Sequence, residues 1–136
     1  TDMSKVIALI DTGVTETKNV LNRVSLIDNS LEGNGHGNDM LNAIISQNEN
    51  ANVLSVRVMG NDGRGTVSSI IAGMEYAIEQ KVGIINLSLS SKKNLANSVL
   101  EAEINKAVEN GISVVAAAGN DGKISTLLLP TANLPN

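Results

Sequence analysis

The chain has 136 residues, a length that suits one domain, and its high apolar content includes a single aromatic, Tyr76, so the core must be built from Val, Ile, Leu, Ala and Met, the usual filling of a buried parallel sheet. The net charge is −4 and no basic cluster exceeds Lys92 and Lys93, which argues against a nucleic-acid interface; no apolar run approaches a membrane span and nothing at the start reads as a signal peptide. Cysteine is absent, which removes disulfides, thiolate metal sites and cysteine nucleophiles.

Short β-branched runs alternate with helical patterns. KVIAL (5–9) predicts a buried strand and RVSLI (23–27) a shorter one, followed by a helix over 37–46. NVLSVRVM (52–59) predicts a strand that ends in the glycine-rich turn GNDGRG. Across 66–80 the apolar residues Ile70, Ile71, Met74, Ala77 and Ile78 recur at amphipathic-helix spacing. GIINLSL (83–89) predicts a strand, 95–111 a helix with Gly111 as its C-cap, and ISVVAAA (112–118) a last strand before the turn GNDG. LLLPTANLPN (127–136) reads as apolar residues without a partner leading into a loop, and both ends of the chain look cut.

Strands separated by helices of this length imply right-handed crossovers, hence an α/β fold: a parallel sheet with helices on both faces. Ligands of such sheets bind beyond the carboxyl ends of the strands. Three polar positions fall there: Asp11 after VIALI, the SLSS stretch from Ser88, and Asn120 after VVAAAG.

Asp11, followed by Thr12 and Gly13, by itself suits an Asx-turn that closes a strand. Held partly out of water, its carboxylate needs a donor, and His36, the single histidine, is the natural candidate. A helix N-terminus favours the neutral imidazole, whereas a buried carboxylate on one ring nitrogen restores basicity and fixes the tautomer. Gly35 and Gly37 on either side let other groups approach closely. Asn120 in a Gly-Asn turn is ordinary alone; beside an Asp–His pair it has the chemistry of an oxyanion donor. GNG and GRG match neither a dinucleotide fingerprint nor a P-loop, and one histidine without cysteine makes a zinc site improbable.

VIALIDTGV, GHGNDM, LSVRVMGNDGRGTVSSIIAGMEYAIEQKVGIINLSLS and AVENGISVVAAAGNDG together resemble the subtilisin-like serine proteases, in the family's order and with about its spacing, from Lys5 to about Gly122. The resemblance implies that Asp11 orients the base, His36 is the general base and then acid, and Asn120 donates to the oxyanion. It implies that Gly63, Arg64 and Gly65 form one substrate edge and Ser88, Leu89 and Ser90 the opposite edge, with an extended peptide between them. Ala117, Ala118 and Gly119 would wall the pocket for the residue before the scissile bond. Ile70 and Leu89 would line an apolar pocket further upstream.

The family's serine, in a Gly-Thr-Ser-x-Ala turn that opens a helix, does not occur. Ser113 lies in an apolar strand, and Ser88 and Ser90 belong to the substrate edge. The resemblance therefore implies that residues 1–136 are the N-terminal part of a single subtilisin-like catalytic domain, its sheet incomplete in this chain. It implies a serine endopeptidase whose nucleophile sits on a companion or missing C-terminal segment, with a peptide or protein substrate, removal of a prosegment, and a secreted or cell-surface location. No cofactor is required; calcium stays open, but the loop SQNENAN is too short for the family's strong calcium site. Asn38 and Asp39 after the base turn, and TETKNV after Asp11, mark a divergent branch such as the peptidases that trim lantibiotic leaders. Another reading is a non-catalytic peptide-binding fragment or pseudoprotease. A phosphohydrolase using Asp11 is disfavoured, since position 13 is Gly where a second acid would stand.

Overall fold

The computed structural model describes residues 2–33, 35–89, 98–118 and 125–128. Within them the chain runs β1 (Val6–Asp11), β2 (Val20–Ser25), α1 (His36–Gln47), β3 (Asn52–Arg57), α2 (Val67–Glu79), β4 (Ile84–Leu89), α3 (Ser98–Glu109), β5 (Ser113–Ala118) and β6 (Ser125–Leu128). A single 3-10 turn, Met3–Lys5, precedes β1 and is capped by the Asp2 side chain. The strands form one sheet in the order β2-β3-β1-β4-β5-β6. The first five run parallel, and β6 lies antiparallel along β5. The expected α/β architecture is thus present, with helices on both faces of a parallel sheet.

The side-chain period of two assigns each strand residue to a face. Val6, Ala8 and Ile10 of β1 enter the larger core with Leu54 and Val56 of β3, Ile85 and Leu87 of β4, and Val114 and Ala116 of β5. Ile70, Met74 and Ala77 of α2 and Leu100, Ile104 and Ala107 of α3 close that core. On the opposite face Leu9 and Val53 meet Met40 and Leu41 of α1, together with Val14. Each such fully buried aliphatic side chain contributes about 1.5–3 kcal/mol before the entropy of ordering it is counted.

Local chemistry fixes the helix ends. Thr66 caps α2 in a reciprocal capping box with Ser69. Helix α3 is stopped by Gly111, at φ 81° just beyond its end, where the amide of Gly111 bonds the Val108 carbonyl (2.9 Å) and that of Ile112 the Ala107 carbonyl (3.1 Å). That pair of bonds is the Schellman arrangement expected of a glycine stop. The part of the helix expected over 95–97 lies outside the described residues.

Two strands differ from expectation by more than two residues. β2 begins three residues before RVSLI because Asn19 pins its start: the Asn19 amide donates to the carbonyls of Glu49 and Ala51, and Val53 N–H bonds the Asn19 carbonyl. Leu26 and Ile27, expected in that strand, are each 39% exposed beyond its end. β6 was not expected at all, because four residues of edge strand carry no readable period.

β1 lies between β3 and β4, so the connection through α2 passes over it and the strand order reverses there. Such a switch point opens a crevice at the strand's carboxyl end. α1 covers its face only in part. Beside it Ile7, Met40, Ile44, Ile84, Asn86 and Val115 line a groove of about 330 Å³. Ile84 is 38% exposed there, and the buried Asn86 Oδ1 has no partner among the described residues.

Candidate active site

β1 ends on Asp11, which is fully buried at the switch point. Its carboxylate gathers three donors. The next amide, Thr12 N–H, reaches Oδ1 at 2.6 Å. Ser88 Oγ, from the neighbouring β4, donates to Oδ2. His36 Nδ1 lies 2.8 Å from Oδ1 and 3.1 Å from Oδ2. A carboxylate only accepts, so Nδ1 carries the proton and Nε2 is the basic nitrogen of the neutral ring.

His36 is the first residue of α1, preceded by Gly35 at φ 100°, a left-handed turn that suits glycine. The following glycine has a different reason. A Cβ at Gly37 would run into the Gly13 carbonyl oxygen, so only glycine lets the helix start against the loop after β1. The hydrogen bond that His36 Nδ1–H donates to Asp11 raises the His36 pKa above its ordinary 6.5; burial works against this, and the charges of Asp11 and Asp39 work with it. The ring stays 40% exposed, open enough to meet a reacting group.

Behind the pair stands a buried cation. Arg57, the last residue of β3, is 2% exposed. Its Nη1 donates to the Thr12 carbonyl, while Nε and Nη2 grip the Asp28 carboxylate at 3.2 and 3.0 Å. Those bonds, with help from Ser25, hold the Asp28 pKa down at about 2.

Gly63, Arg64 and Gly65 lie in the turn between β3 and α2, closed by the Gly60 amide on the Arg64 carbonyl (3.0 Å), with Arg64 exposed. Ile70 is 2% exposed and packs into the larger core. Ser88 is fully buried with its hydroxyl on Asp11, a contact sequence reasoning missed when it assigned Ser88 to the substrate edge. Leu9 pairs with Asn86 and Ile10 with Leu87, so the next rung sets Asp11 beside Ser88; the neighbouring of β1 and β4 was the missing signal. Leu89 and Ala118 pair at the carboxyl ends of β4 and β5, one rung beyond Ser88 and Ala117. Ser90, Gly119 and Asn120 lie outside the described residues. Thr12 and Arg57 were also missed as parts of the site.

A parallel α/β sheet with a buried aspartate and a half-open histidine at its switch point defines a class able to move a proton for a nucleophile. The family model described as the subtilase family matches residues 3–134, and the chain belongs to that family. It is 35% identical over 133 residues to Subtilisin BL of Lederbergia lenta, which covers 88% of this chain and 49% of that protein. It is 36% identical over 138 residues to cerevisin of Saccharomyces cerevisiae, covering 85% of this chain and 21% of cerevisin. A cold-adapted subtilisin-like serine proteinase superposes with a TM-score of 0.73 at 27% identity, covering 85% of this chain and 46% of that one. The chain therefore spans about half the length of Subtilisin BL, and less than half of cerevisin and of the cold-adapted proteinase.

Proposed function

We propose that this chain supplies the base half of a secreted serine endopeptidase, with the nucleophilic serine on a companion or C-terminal segment. The observation that carries the reading is the buried Asp11 carboxylate 2.8 Å from His36 Nδ1, at the sheet's switch point. In the reaction, His36 Nε2 takes the proton of the incoming serine hydroxyl as its oxygen attacks the peptide carbonyl. Asp11 stabilises the imidazolium. The proton then passes to the leaving amine, the acyl-serine forms, and water repeats the sequence to release the acid. Asn120, with a backbone N–H, holds the oxyanion of each tetrahedral intermediate. No step needs a cofactor, since side chains and water carry every proton.

The substrate lies extended between the edges at Gly63, Arg64 and Gly65 and at Ser88, Leu89 and Ser90. Ala117, Ala118 and Gly119 wall the first pocket, and Ile70 and Leu89 back an apolar one. Because the Ser88 hydroxyl is bound to Asp11, its backbone is what remains to pair with a peptide.

The test is intact-mass spectrometry of the protein after treatment with a fluorophosphonate. An adduct on a serine-bearing segment, lost when His36→Ala removes the base, is the expected result. Absence of any adduct in a preparation that still binds peptide would replace this reading with a pseudoprotease. Asn120→Ala should lower kcat about 10²–10³-fold, as removal of the oxyanion donor does in subtilisin, with little change in KM.

A further inference from the structure

Thr12 sits between the two members of the pair and uses every polar group it has. Its N–H bonds Asp11 Oδ1 at 2.6 Å, its Oγ1 accepts from the Gly37 amide at 3.0 Å, and its carbonyl accepts from Arg57 Nη1. One residue thus ties together the carboxylate, the helix start that bears His36, and a guanidinium. Arg57 stands in register beside Asp11, and the two amides that follow Arg57, those of Val58 and Met59, close on the Asp11 carbonyl. Asp28, which grips Arg57 from the far side, is itself held by Ser25 Oγ at 2.8 Å and by the Ser30 amide at 3.0 Å.

A partner for Asp28 alone would not need burial, because the Asp28 side chain is 41% exposed. Burying a cation is costly, and this one is buried to reach the Thr12 carbonyl. We propose that Arg57 is a positioning residue for the Asp11–His36 pair and acts through Thr12. The planar fork is what the task requires: two donors fix the guanidinium on Asp28 and a third aims at Thr12. A lysine ammonium is a point donor that cannot hold both directions. This proposal rests on the pair being the working base, but its test reads the pair without any serine.

His36 is the only histidine, so its ring signals in an NMR pH titration are unambiguous. The charged groups that face the ring are Asp11 from β1 and Asp39 from α1, with Arg57 behind Thr12. Through-space charge alone would raise the His36 midpoint when Arg57 is lost. Loss of positioning lowers it, because the hydrogen bond to Asp11 is what holds it up. In Arg57→Met the expected result is a midpoint lower by about half a unit or more, with loss of the exchange-protected Nδ1–H signal. Arg57→Lys keeps the charge and should show a smaller fall. A folded Arg57→Met with an unchanged or raised midpoint and an intact Nδ1–H signal overturns the proposal. If that variant does not fold, Arg57→Lys decides on the same readout, and a lower melting temperature with an unmoved midpoint there is equally fatal. Failure of fluorophosphonate labelling with a positive titration would instead sink the protease reading alone.

Discussion

At the scale of single residues, the Asp11–His36 contact governs the pH response. Because the hydrogen bond to Asp11 raises His36 while burial opposes it, Asp11→Asn should bring the midpoint to 6.5 or below, measured on the one histidine's ring signals. A raised histidine stabilises the fold fully below its unfolded value near 6.5, and that contribution is lost as the pH rises through the higher folded midpoint. The proposed catalysis runs the other way, since it needs the neutral ring, and should rise over the same interval. Ser88→Ala should cost about 1–3 kcal/mol in urea denaturation, because it strips a donor from a buried carboxylate. Asp11 and His36 were legible in the sequence, one as a carboxylate closing an apolar strand, the other as an imidazole between glycines. The contacts of Ser88, Thr12 and Arg57 were not, because they depend on which strands lie side by side, and local pattern does not report that.

Among the elements, α2 shows a propensity rule overridden by packing. Gly73 is mid-helix, where alanine would gain about 1 kcal/mol of helix propensity. A Cβ there would stand only 2.6 Å from Val58 Cγ1, with Val56 and Ile10 close behind. Overpacking of this kind costs about 1–3 kcal/mol, so Gly73→Ala should be net destabilising in thermal denaturation. An equal or higher melting temperature would show that the sheet can yield at Val58. The long amphipathic period made α2 readable to within one residue at each end. β2 and β6 were poorly readable for the opposite reason: β2 is placed by an asparagine bridging to another loop, and β6 by the neighbour it pairs with.

Across the whole molecule, the two helices on the larger-core face meet through a charged contact that should set stability near neutrality. Lys106 Nζ bonds Glu75 at 2.7 and 3.0 Å, and beside them Glu103 is 6% exposed. Burial, and then the neighbouring Glu75, push the Glu103 pKa up to about 7. The unfolded chain gives up this proton near 4.5, so stability falls as the pH climbs from there to about 7. Glu103→Gln keeps the shape without that penalty and should stabilise the chain at pH 8 by on the order of 1 kcal/mol, with the gain shrinking towards pH 5. Melting curves for the two proteins that stay parallel from pH 5 to 8 would contradict it.

The partly covered sheet face beside α1 has a colloidal consequence. Ile84 and Val115 present apolar surface there, and a dilute chain has only its charge of −4 to keep copies apart. That repulsion vanishes near the isoelectric point of 4.9, and sulfate strengthens the drive to hide such surface. Light scattering should therefore rise steeply on acidification or salting, and Ile84→Glu, which removes apolar surface and adds negative charge, should keep the solution clear as sulfate is added at pH 7. The open face thus sets how concentrated the isolated chain can be kept.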